Sequence, residues 1–287
     1  MLRKFKSLKP FNFRKVQFDF SVPDMDLRKY DWVVVNTSAG KDSMTIMRHV
    51  VALAEAQGVL DRVVGVHCDL KAAEWYGTRE LAHAHSRYYG IKFSVVTRPQ
   101  GDLIADIRHR GKFPGGGARF CTAHHKRGQV LKLLTFLAKK SRIEQGVRKV
   151  RILNVMGHRH DESCEREALV PFTENVEYAS NGLRQVDIWY PTHHWTLDRV
   201  WQDIRASGVP YHYAYDLGMT RLSCVFCVFG TKDGLLIAGY YNPELLNVYC
   251  EVEEEIGHTF KYKLPIVEVR NRIERGELPK TSGDWKM

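Results

Sequence analysis

The sequence predicts an α/β fold, a parallel sheet with helices on both faces. Apolar runs of strand length alternate with helix-period segments through the first half of the chain, which is the signature of that class. A loop of small residues, "NTSAGKDS", follows directly on the first apolar run, as ligand loops do in such sheets. The composition agrees: of 287 residues 44% are hydrophobic, 26% charged and 11% aromatic, enough to build a substantial core.

The segments follow in order. "WVVVNT", residues 32–37, reads as a buried strand, and Lys41 to Gln57 as a helix with Met44, Met47, Val51 and Ala54 on one face. "RVVGVHCDL" is the second strand, Glu74 to Tyr89 a helical stretch, and "FSVVTR" the third strand. A glycine-rich loop, "GKFPGGGARF", precedes a helix over Ala123 to Lys140, and "VRILNVMG" is the next strand. Farther on, Thr196 is placed to cap a helix carrying Val200 and Trp201. Asn242 and Pro243 mark the start of another, whose apolar side holds Leu245, Tyr249, Val252 and Ile256.

Charge and hydropathy narrow the class. The net charge of +10 is concentrated in "LRKFKSLKPFNFRK", "RHRGKFPGGGARFCTAHHKRGQ" and "KKSRIEQGVRKVR", and basic surface of this kind attracts phosphates on nucleotides or nucleic acids. A merely soluble basic surface is the plain alternative. No apolar run is long enough for a membrane span, and "MLRKFKSLKPFNFRK" lacks the apolar centre of a secretory signal, so a soluble cytoplasmic protein without a membrane partner is expected. In that compartment six cysteines stay reduced and point to metal binding or catalysis rather than disulfides.

In the opening loop, Ser38, Ala39 and Gly40 permit a tight turn, and the helix start beyond them offers unpaired N–H groups. Lys41 adds positive charge, and Ser38 and Ser43 add hydroxyls. The glycine-to-lysine spacing is wrong for a Walker loop. Ser38-Ala39-Gly40-Lys41-Asp42-Ser43 resembles the pyrophosphate loop of the adenine nucleotide alpha hydrolases, the ATP pyrophosphatase (PP-loop) superfamily. Three later segments narrow the resemblance to its phosphoadenosine phosphosulfate reductase-like branch. "HCDLKAAEWYGTRE" resembles the stretch whose aspartate, here Asp69, approaches the nucleotide, and "MGHRHDESCERE" the G-x-R-x-x-E-S segment, through Gly157, Arg159, Glu162, Ser163 and Arg166. Pro191, Trp195, Val200, Trp201, Gly218, Arg221, Cys224 and Cys227 resemble the closing motifs.

The resemblance implies a Rossmann-like sheet with a C-terminal helical, cysteine-containing extension. The expected division is a basic segment over 1–28, a nucleotide-binding domain over 29–215 and the extension over 216–287. It implies that residues 38–43, Asp69, Gly157 and Arg159 bind ATP with Mg²⁺, with Lys41, Asp42 and Arg159 closest to the chemistry and Asp42 helping to hold the ion. Cys121, Cys224 and Cys227 match positions that carry an iron–sulfur cluster, here [4Fe-4S], with Cys164 the better candidate for a fourth ligand than Cys250 or Cys68. Structural Zn²⁺, with His124 completing a Cys₃His set, and buried thiols without metal are the alternatives.

Family reductases attack sulfur with a cysteine in a C-terminal E-C-G-L-H segment, and no cysteine follows Cys250 here. The resemblance therefore implies an adenylating enzyme for sulfur insertion or transfer, fed by a sulfur donor protein or small thiol. Its substrate is expected to be DNA or tRNA, as for the DNA phosphorothioation protein and the cluster-dependent tRNA thiolases. The alternatives are a sulfonucleotide reductase and a non-catalytic, nucleotide-sensing nucleic-acid-binding protein. One departure is Ala39, where many ATP-cleaving members carry glycine.

Overall fold

β1 (Trp32–Asn36) is buried because Val33, Val34 and Val35 offer apolar side chains to both faces, the pattern of a central parallel strand. It pairs in parallel with β2 (Val63–Cys68) on one side and β4 (Val150–Val155) on the other, with Val33 opposite both Val63 and Leu153. With β3 (Lys92–Val96), β5 (Phe172–Thr173) and β6 (Arg184–Trp189) the sheet order is β3-β2-β1-β4-β6-β5; β6 runs parallel to β4, and β5 antiparallel to β6. The chain leaves β1 towards one edge and returns through β4 to the other. The loops after β1 and β4 therefore meet at a topological switch point, where such sheets bind ligands.

The computed structural model describes residues 25–146 and 148–280. It falls into two units. The first comprises the chain up to His67, Arg79–Val96 and Val130–Tyr211; the second comprises Cys68–Thr78, Thr97–Gln129 and the chain from His212 onward. Most of the expected N-terminal basic segment lies outside the described residues. Among those described, no helix is long and apolar enough to cross a membrane.

In the first unit α1 (Lys41–Ala56) lays Met44, Met47, Val50 and Val51 against Val33, Val35, Leu153 and Val155. Trp189 and Trp195 join this core, with Trp201 packed on its edge, as the Thr196-capped helix α5 (Leu197–Ser207) brings in Val200 and Ile204. The Thr196 hydroxyl accepts from the Arg199 N–H at 3.3 Å. Both tryptophans of the 195–201 segment thus fill core space rather than face a ligand.

Several expected boundaries move. α2 spans Thr78–Tyr88, because Lys71–Ala73 forms a separate tight turn and Glu74 bridges to Cys224. The helix expected from Ala123 starts with a π-helical turn, Ala123–Arg127, before α4 (Gly128–Gln145). α3 (Leu103–Arg110), capped by Asp102, was not anticipated.

In the second unit, α6 (Lys232–Tyr241), α7 (Pro243–Ile256) and α8 (Ile266–Glu274) form the C-terminal extension. Asn242 donates its amide to the Ala238 carbonyl at 2.9 Å instead of capping α7, whose buried side is Leu246, Tyr249, Cys250 and Val252 rather than Leu245. Glu253 takes the N–H groups of Ile266 and Val267 at 3.0 and 3.2 Å, an anion seated at the start of α8.

Candidate nucleotide site and thiol cluster

The loop after β1 is held by its own side chains. Thr37 extends the ladder by donating to the Val66 carbonyl at 2.8 Å, and the Ser43 hydroxyl donates to the Gly40 carbonyl at 2.9 Å while accepting from the Ser38 N–H at 3.2 Å. Ser38 stays exposed, whereas Ala39, Gly40, Lys41 and Ser43 are buried. Ala39 adopts φ +55, a left-handed conformation that costs an L residue about 1–2 kcal/mol and that glycine adopts freely. The substitution noted in the sequence therefore falls on the strained position of the turn.

The loop after β4 locks onto this one. A Cβ at Gly157 would lie 2.9 Å from the Asp42 carbonyl carbon, so only glycine lets the two backbones approach this closely. The Arg159 guanidinium, 4% exposed, donates from Nε to Asp42 Oδ1 at 2.7 Å, to Asp161 at 2.6 Å and to the Trp195 carbonyl at 3.3 Å. Asp42 Oδ2 faces Lys41 Nζ at 3.2 Å. Burial pushes the Asp42 carboxyl up, but Lys41 and Arg159 outweigh it and hold the group below the usual carboxylate range. Glu162 closes the turn by accepting the Arg159 N–H at 3.0 Å and pairs with Arg166 one helical turn on. Cys164 opens the short turn Cys164–Glu167 and is exposed.

The remaining site residues lie in the second unit. Asp69 is buried, its Oδ1 accepting the Lys71 N–H at 2.8 Å and its Oδ2 facing Lys71 Nζ at 3.2 Å; Lys71 itself has φ +56. The antiparallel bridge Glu74 to Cys224, with the Val225 N–H on the Ala73 carbonyl at 2.9 Å, sets the C-x-x-C against residues 73–74.

Lys126 feels the charge of Cys224, Cys68, the Glu74 carboxylate and Cys121, in that order. Burial depresses the Lys126 ammonium, yet these neighbours outweigh it and raise its pKa. Burial pushes the Cys224 thiol up to about 12 against the pull of Lys126, and raises Cys227 despite the Phe229 backbone, Lys126 and Arg221. Cys68 contacts the Lys126 carbonyl at 3.8 Å and is pushed up to about 11, so it joins the thiols although its sequence position suggested mere strand packing. Thiols beside a lysine are chemically a cluster donor set. As they stand, no three described His, Cys, Asp or Glu side chains are disposed to grip an ion.

The π turn carries Lys126 into this group. It needs Gly128, where a Cβ would meet the Ala123 carbonyl oxygen at 2.9 Å. Asp106, fully buried, anchors the same segment: it takes Arg98 at 2.9 Å, Arg110 and His125 at 3.1 Å, and lies 3.7 Å from His124. Burial raises its carboxyl, but His125, Arg98 and Arg110 bring it below the ordinary value. Sequence reasoning missed Asp106, and its only signal was an i,i+4 acid–arginine spacing within a short helix.

The loop at 38–43 sits at the switch point of a parallel α/β sheet, the place where such sheets bind ligands. A match to the phosphoadenosine phosphosulfate reductase domain spans residues 32–229, and the chain belongs to that family. An uncharacterized 37.8 kDa protein of Escherichia phage 186, from the gpa 5′ region, is 22% identical over 202 residues, 70% of this chain and 54% of that protein. The chain thus spans about half the length of that curated relative. Among solved structures, phosphoadenylyl-sulfate reductase from Candida auris, a phosphate complex, is similar at 15% identity and TM-score 0.47, over 69% of this chain and 83% of that one. The U34-tRNA thiolase NcsA from Methanococcus maripaludis, with its [4Fe-4S] cluster, is similar at 15% identity and TM-score 0.45, over 90% and 77%. FMN adenylyltransferase from Candida glabrata, with FAD and inorganic pyrophosphate, gives 16% identity and TM-score 0.45, over 69% and 57%.

Proposed function

We propose that the chain cleaves ATP between its α and β phosphates to adenylate a nucleic-acid substrate for sulfur transfer. The observation that carries this reading is the loop at 38–43, with its buried Lys41 paired to Asp42 and its exposed Ser38 at the head of α1. In the proposed step a substrate oxygen attacks the α phosphorus, the bond to the bridging oxygen breaks, and pyrophosphate leaves. Lys41 and the N–H groups at the start of α1 stabilise the charge growing on that leaving group. Arg159 holds Asp42 and so orients Lys41. It acts as a positioning residue, since its guanidinium is spent on Asp42, Asp161 and the Trp195 carbonyl.

Both oxygens of Asp42 face cations, which makes it a poor seat for a third. Mg²⁺ therefore arrives on the triphosphate as part of the substrate. Hydrosulfide supplied by a sulfur donor then attacks the activated carbon: one C–S bond forms, the C–O bond to AMP breaks, AMP leaves, and the hydrosulfide proton passes to solvent. Cys121, Cys224 and Cys227 would hold a [4Fe-4S] cluster, which supplies a site for sulfur or electrons; Lys126 offsets the charge of the thiolates.

The test is pyrophosphate release from ATP in the presence of bulk tRNA or duplex DNA, with iron and acid-labile sulfide measured on protein purified without oxygen. Release that needs nucleic acid and disappears in Lys41→Ala supports the reading. ATP bound without release would move the chain to the nucleotide-sensing alternative, and thiol-dependent sulfite release from phosphoadenosine phosphosulfate would make it a reductase.

A further inference from the structure

At the amino end of the sheet, the end away from residues 38–43, the first unit contains a cavity of about 410 Å³. Trp32, the first residue of β1, forms its floor, and Arg28, Lys29, Arg62, Lys92, Lys140 and Arg148 stand around it. Against these six cations the lining sets three acids, Asp31, Asp61 and Glu144, and Asp26 beside it pairs with Arg28 at 2.8 Å. Arg148 is matched by Asp31 through both carboxylate oxygens. Several of the others face neutral groups: Lys92 lies 5.0 Å from the Trp32 ring and donates to the Asp61 carbonyl at 2.6 Å, and Arg62 donates to the carbonyls of Arg28 and Tyr30 at 3.3 and 3.0 Å. Lys140 sits 5.8 Å from the same ring, and its nearest carboxylate, Glu144, is 3.9 Å away and half-exposed. Carbonyls and an indole orient ammonium groups without cancelling their charge. The result is a concave patch in which positive charge is in excess of negative, the shape that focuses a field on an anion.

We infer that this cavity binds the phosphodiester backbone of a nucleic acid. The inference rests on the nucleic-acid reading above for the identity of the polyanion. The cations come from separate chain segments and stand at the surface on long side chains, an arrangement that tracks successive phosphates rather than enclosing one. The distance from Trp32 to Ser38 along β1 is about 20 Å at a strand rise of roughly 3.3 Å per residue. A nucleic-acid strand can span that length between an anchored backbone and a nucleotide at the loop, whereas a free nucleotide cannot.

The experiment compares the full chain with Lys92→Gln/Lys140→Gln and with the control Arg205→Gln, an exposed charge on α5. Binding of bulk tRNA and of a random-sequence DNA duplex is measured across a salt series, alongside ATP binding and thermal unfolding. The double variant is expected to lose ~10- to 100-fold in affinity at about 0.1 M salt and to flatten the salt slope by about two. Its ATP affinity and unfolding temperature should match the parent. Equal loss in Arg205→Gln would reduce the effect to net charge and overturn the site, as would unchanged affinity and slope in the double variant. If inorganic tripolyphosphate responds to the double substitution while both nucleic acids do not, the cavity is a site for small polyphosphates and the inference fails. Failure of the parent to bind either nucleic acid overturns the reading beneath it as well, a different result from a parent that binds and a variant that binds equally.

Discussion

The loop at 38–43 and the segment at 121–128 both present charged groups for chemistry, but they are built in opposite ways. In the first, a lysine and an arginine close on one carboxylate, and the loop is complete before any ligand arrives. In the second, the Cys68 and Cys224 thiols, raised by burial, act on one lysine carried by a π turn that the buried Asp106 anchors. A pre-paired site is organised for electrostatic stabilisation, whereas a thiol group raised by burial is inert until something draws its protons away. The contrast predicts that the two can be disabled separately.

The largest effect is expected from Lys41→Ala, which should lower pyrophosphate release by at least ~100-fold while iron and sulfide stay at the parent level. Cys224→Ser should do the reverse, removing most of the iron and leaving ATP binding intact. Loss of both properties in either variant would merge the two regions into one and sink the comparison. Asp42→Ala takes one carboxylate away from two buried cations, Lys41 and Arg159, and should destabilise the first unit by about 3 kcal/mol, read as a lower denaturant midpoint. An unchanged midpoint would mean that the pair is held by nothing but proximity.

A pH effect separates the units further. His85 donates Nε2 to the Pro210 carbonyl at 2.9 Å, and burial pushes its pKa down to about 4. The unfolded chain takes up this proton below about pH 6.5, and the folded one only near 4. Stability should therefore fall as pH drops through that window, by about 3 kcal/mol in all. His85→Gln should abolish the slope, and a variant that keeps it would assign the titration elsewhere. Smaller again, Gly157→Ala should cost ~1–3 kcal/mol through its clash with Asp42. Ala39→Gly, which relieves φ +55 at the expense of one buried methyl, should change stability by less than about 1 kcal/mol and keep activity.

The valine-rich β1, β2 and β4 and the tight turn at 38–43 were legible because apolar runs and small residues speak locally. β6 was not, since it buries Arg184 and Asp187 in a strand pattern that looks polar. Asp187 takes the Tyr30 hydroxyl at 2.9 Å from far along the chain, besides the Asn175 N–H at 2.8 Å and the Gln185 amide at 3.0 Å. Asp106 hid for the same reason, as did the place of Cys68 beside Lys126. The C-x-x-C could be seen, but the π turn that aims Lys126 at it depends on a contact between Ala123 and Gly128 that no periodicity announces.

Gly157 touches the backbone of Asp42, and Arg159 grips the same residue's side chain, across more than a hundred intervening positions. The two loops are thus one inherited part written in two places. A change at 42 takes from Arg159 the contact that ties the two loops, and a side chain at 157 evicts the turn that the arginine serves. In a collection of related sequences, positions 42, 157 and 159 should be kept together or lost together, and a lineage that has abandoned the loop should show it first at the glycine.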